Sequence, residues 1–122
     1  MAHRTPHAAL DAADRIAEQE QRTAAATAAA TVRDKQRAMI DEQNTPALLD
    51  TLDALAQGQA PAAETPALSA MIAASIVRRV RTAVGDAIAD DVNTRALDAG
   101  RDRGIAGIAA ALRAEDIVTR LQ

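Results

Sequence analysis

Not one of the 122 residues is a phenylalanine, tyrosine or tryptophan. Those side chains bury the most area apiece, so any core must be built without them. Leu, Ile, Val and Met together supply only about a fifth of the chain, and alanine alone about a quarter. A fifth is near the level at which one chain of this length struggles to bury enough apolar surface. Two solutions follow: helices that approach closely on alanine faces, or a core completed against other chains.

Local signals favour helices. Thr-Pro followed closely by Ala and Leu occurs three times, at Thr5-Pro6, Thr45-Pro46 and Thr65-Pro66. Threonine satisfies the free N–H groups of a new helix, and proline fits its first turn because no N–H is needed there. Helices are therefore expected over about 6–43, 46–57, 66–99 and 105–121, with a linker at 58–65. Leu48, Leu49, Leu52 and Leu55 give the second helix a compact apolar face. Leu68, Ile72, Ile76, Val77, Val80, Val84, Ile88 and Val92 give the third a long stripe at three- and four-residue spacing. Gly100, Gly104 and Gly107 interrupt that pattern, and Ile105, Ile108, Leu112, Ile117, Val118 and Leu121 resume it. The expected fold class is all-α: a single domain forming an elongated helical bundle, on two long antiparallel helices plus two shorter ones.

The first helix is the unusual one. It would be on the order of 55 Å long. Its large apolar residues, Leu10, Ile16, Val32, Met39 and Ile40, leave the middle to a run of six alanines and two threonines from Ala24 to Thr31. Alanine is the best helix former, so the run sustains a helix. It offers little area to bury, but it lets another backbone come near. Ala24, Ala28, Thr31 and Val32 are accordingly the expected helix–helix interface, and homo-oligomers or other protein subunits the expected partners.

Other chemistries find little support. The chain has no cysteine, which removes disulfides and thiolate ligands. Its two histidines, His3 and His7, are four apart, but no third ligand accompanies them, so neither metal nor cofactor is expected. Asp86, Asp90, Asp91, Asp98 and Asp102 do not fit a calcium loop: counted from Asp98, Gly100 falls on a ligand position and Arg103 on the one that needs glycine. Ser69 and Ser75 lack a companion base, and no glycine loop cradles phosphate, so no catalytic residue is assigned. The densest basic cluster is Arg78, Arg79 and Arg81. It is the one candidate nucleic-acid contact, the alternative being a small DNA-binding or regulatory protein. Yet the net charge is −3 and no aromatic residue can stack on a base. Ala96, Gly100 and Gly104 set small residues at every fourth position, with charged residues between them, so close packing of water-facing helices is expected. No apolar run approaches the roughly 18 residues of a membrane span, and the N-terminus lacks the apolar core of a signal peptide. A cytoplasmic or virion protein that is not secreted is expected. Its role would be structural, as a scaffold, an adaptor or a component of a phage virion.

Overall fold

The structure is a computed structural model that describes residues 4–59 and 63–122. Among the described residues there are five helices and no strand: α1 Arg4–Glu42, α2 Thr45–Ala56, α3 Thr65–Val84, α4 Asp86–Arg113 and α5 Asp116–Arg120. The chain is all-α, as its sequence predicts. It divides into two units, Met1–Gln36 and Arg37–Gln122.

The second unit holds the core. Leu48 and Leu52 of α2, Ile72, Ile76 and Val80 of α3, and Val92 and Leu112 of α4 are all essentially inaccessible to water. Ile40 of α1 and Val118 of α5 join the same cluster, and so do Ala89, Ala96 and Ala109 of α4. The shortage of large side chains is met by alanine packing on α4, not by abandoning the core. Ile108, Ile105 and Leu121 pack against its edge.

Helix starts fall within about two residues of the three Thr-Pro signals, but the capping group differs. At α2 the cap is Asn44, whose side chain accepts a hydrogen bond of 2.9 Å from the Ala47 amide. Thr45 lies one residue inside the helix and is fully buried. At α3 the cap position is Glu64, and Thr65 is the first helical residue.

The single helix expected over 66–99 is two helices. Gly85 separates them with φ 98 and ψ 176, a conformation that carries a heavy penalty for any residue with a Cβ. The Gly85 amide closes α3 on the Arg81 carbonyl at 2.9 Å. The valine and isoleucine stripe runs through this break without changing period, and its middle members, Val84 and Ile88, are exposed. A second discontinuity lies inside α4 at Gly104 (φ 69, ψ −153), where the glycine-rich interruption was expected. The final helix expected over 105–121 is divided again at Ala114–Glu115, before α5.

The described part of the first unit, residues 4–36, is a continuous stretch of α1. Every residue from Asp11 to Lys35 is exposed, including Ile16 (59%) and Val32 (55%). Thus the expected interface residues Ala24, Ala28, Thr31 and Val32 are all exposed.

Candidate functional site

Three surfaces have geometry worth weighing: the basic cluster on α3, a groove between α3 and α4, and the bare length of α1.

The arginines of α3 are engaged inside the chain. Arg78 pairs with Asp41 at 3.2 Å, and the same carboxylate oxygen accepts from Ser75 at 3.2 Å. Arg79 donates to the carbonyls of Ile40 (3.2 Å) and Asp41 (3.4 Å) and to the Thr45 hydroxyl (3.2 Å). Carbonyls in the last turn of a helix lack intrahelical partners, so Arg79 is a side-chain cap for the end of α1. Arg81 reaches forward over the Gly85 break to Asp86 (2.7 Å) and Asp90 (2.9 Å). Hydrogen bonds to Asp86 and then Asp90 hold its guanidinium above the ordinary arginine range. A shallow cavity of about 490 Å³ opens among Asp41, Ser75, Arg78, Arg79 and Thr82. Its cations are already matched by a carboxylate and by the negative end of a helix, which leaves little for a phosphate to gain. A cap of this kind has a measurable worth. Arg79→Gln should destabilise the second unit by about 1–2 kcal/mol, since hydrogen bonds to charged donors lie near that range. In thermal unfolding the midpoint should fall by roughly 5–10 °C. An unchanged midpoint would mean that water replaces the cap without cost.

Further ion pairs fasten the C-terminal elements. Arg113 of α4 pairs with Asp53 and with Asp50 (3.1 Å) of α2. Arg95 of α4 pairs with Glu115 just before α5. Both guanidiniums are raised by these carboxylates, Asp53 being the larger cause at Arg113 and Glu115 the cause at Arg95. On the same stretch Arg101 pairs with Asp98 at 3.6 Å, both side chains largely exposed, so these are surface pairs of modest individual worth.

The α3–α4 groove encloses about 470 Å³. Ala70, Ala73 and Ala74 line one wall, and Ala96, Leu97 and Gly100 the other, with Ile105 and Ile108 at one end. The Ala96, Gly100 and Gly104 spacing noted in the sequence marks this wall. Leu97, which no periodic pattern had singled out, is half exposed on its rim.

On α1 the Thr31 hydroxyl donates to the Thr27 carbonyl at 2.9 Å, and Thr23 does the same to Gln19. With its hydroxyl turned back to the helix, Thr31 presents a methyl group outward. Ala24, Ala28, Thr31 and Val32 therefore form a smooth apolar surface.

Among the described residues no three His, Cys, Asp or Glu side chains are grouped as metal ligands, and no helix is long and apolar enough to cross a membrane. His3 and the side chain of His7 lie outside the described residues. No protein-family model matches the sequence, and comparison with characterised proteins and with solved structures finds no match.

Proposed function

We propose that this chain is a non-enzymatic structural or interaction protein, a helical subunit of a homo-oligomer or larger assembly, of the scaffold, adaptor or phage-virion kind. The observation that carries this reading is the bare first unit: residues 11–35 of α1 are exposed on every side, while residues 37–122 contain a core of their own. In proteins most helical stability comes from packing one face of the helix, and a helix without a packed face gains stability by burying one. Ala24, Ala28, Thr31 and Val32 provide the face, and its small side chains let a second helix come close. Burying each methyl-sized group contributes roughly 0.8 kcal/mol, so several are needed for a contact of useful strength.

Sedimentation equilibrium over a hundredfold range of concentration tests the proposal. The expected mass is a multiple of 12.7 kDa that falls as the solution is diluted. The variant Ala28→Asp should shift the distribution toward the single chain, because it buries an unpaired carboxylate at the contact. A chain that stays at the monomer mass throughout, with Ala28→Asp silent, would sink this reading. The internal engagement of Arg78 and Arg81 supports a companion expectation. Replacing both with Gln, and leaving the Arg79 cap in place, should not alter retention on duplex DNA at low salt. A tight, steeply salt-dependent complex abolished by these changes would point to a DNA-binding protein instead.

A further inference from the structure

We infer that residues 11–36 of α1 pair antiparallel with the same segment of a second copy of this chain, in the register that sets Ala25 beside Ala28 and Glu18 beside Lys35 of that copy. The inference rests on the self-association proposed above and specifies its geometry.

The charges on the segment are segregated. Between Asp11 and Glu20 stand four acidic residues and one basic one. From Thr23 to Val32 there is no charge at all, and Arg33 and Lys35 follow with Asp34 between them. The helix dipole does not account for this arrangement. Its influence fades beyond the first and last turns, and α1 has no acidic residue in its first turn and no basic residue in its last. Lys35 is the only lysine of the chain, is exposed, and has no ion-pair partner among the described residues. Glu18 has only a loose pair with Arg22 at 3.4 Å, both side chains mostly exposed.

Helical geometry turns the segregation into a register. Glu18, Gln21, Ala25, Ala28, Val32 and Lys35 follow each other at alternating spacings of three and four, so they share one face. When two such faces meet about a two-fold axis in antiparallel sense, three layers form together, each of them twice. Ala25 meets Ala28 at the centre, Gln21 meets Val32 beyond it, and Glu18 meets Lys35 at either end. The smallest residues then lie where the backbones must approach, and opposite charges close both ends. Sliding the pair by one heptad in one sense sets Val32 against Asp14 and Ala28 against Glu18. Sliding it in the other sets Ala25 against Lys35 and leaves Glu18 unmatched. A parallel pair sets Glu18 on Glu18 and Lys35 on Lys35. The two-fold arrangement is also self-limiting, because one patch is used on both copies and the contact closes.

Two experiments on the full chain test this, each with helicity checked by circular dichroism. In sedimentation at low salt, Glu18→Lys and Lys35→Glu should each weaken self-association by roughly tenfold, through like charges brought face to face. The double variant should restore it, since each end then carries the reversed pair. In the cysteine-free chain, Gln21→Cys and Val32→Cys should cross-link to each other when mixed under oxidising conditions, and neither should cross-link to itself. Like positions on antiparallel copies lie about 16 Å apart along the axis, too far for a disulfide. Self-cross-linking of Gln21→Cys would establish a parallel pair and overturn the inference. So would charge reversals that leave a self-associating chain unaffected. Those outcomes leave the assembly proposal standing, whereas a wild-type chain that is monomeric at every concentration removes both.

Discussion

Leu112→Asp should abolish the cooperative unfolding transition of the second unit. Leu112 is wholly buried, in contact with the cluster that joins α2, α3, α4 and α5. The substitution removes an isobutyl group, worth roughly 2–5 kcal/mol by comparison with leucine-to-alanine changes in other cores. It also places a carboxylate where the neighbours are aliphatic and where Arg113, the adjacent cation, is already bound to Asp50 and Asp53. An unpaired buried charge adds several kcal/mol more unless the group takes up a proton. A unit of this size is stable by about 4–13 kcal/mol in all, on the usual scale per residue. The combined cost is comparable with the whole. Thermal melts followed at 222 nm should lose their sigmoidal step, while Leu112→Ala should retain it at a midpoint lowered by 10 °C or more, roughly. A Leu112→Asp protein that melts like the wild type would show that the C-terminal part of α4 is not part of the cooperative unit.

What could be read from the sequence divides along a physical line. Short-range signals were legible: the apolar faces of α2 and α3, the helix starts near Thr45 and Thr65, and the interruption near Gly104 all follow from spacing and from the chemistry of Pro and Gly. The Gly85 break was hidden because Val80, Val84, Ile88 and Val92 keep a four-residue interval across it. A hydrophobic period records which residues resemble one another, not whether the backbone between them is helical. Only the positive φ of Gly85 gives the break away. Asn44 was masked by the neighbouring Thr45, an almost equally good capping residue. The fate of Arg78 and Arg79 was beyond reach for a different reason. The partners of Arg78 and Arg79, Ile40, Asp41 and Thr45, lie 34 to 39 residues away in the chain, and no local pattern encodes that distance. For α1 the sequence and the single chain together supply an exposed surface of small residues over 24–32.

Gly107→Ala should destabilise the fold, against the ordinary trend. Exchanging glycine for alanine inside a helix usually gains about 1 kcal/mol of helix propensity. At Gly107 the added Cβ would collide with the carbonyl oxygen of Ala99 and lie 3.0 Å from its carbonyl carbon, with the Arg103 Cβ at 2.8 Å. Because Gly104 breaks α4, the stretch after it turns back against the stretch before it, and Gly107 and Ala99 meet backbone to backbone. Ala99 and Gly107 are both buried, and backbone cannot step aside as the end of a side chain can. Relief requires the two parts of α4 to separate, which would loosen Ala109 and Leu112 in the core. Overpacking of this kind costs roughly 1–3 kcal/mol, and a backbone collision belongs at the upper end, so the net change should be a loss of up to about 2 kcal/mol despite the gain in propensity. Gly100→Ala is the control. Its Cβ would meet only the Cγ1 and Cδ1 atoms of Ile108, at 2.9 and 3.0 Å, and a rotation of that half-buried side chain relieves the contact. Urea titrations should therefore rank Gly100→Ala close to the wild type and Gly107→Ala clearly below it at equal m-value. Equal stabilities for the two variants would mean that the two parts of α4 do not touch at Ala99. In that case the glycines after Asp98 serve the kink alone and not the packing across it.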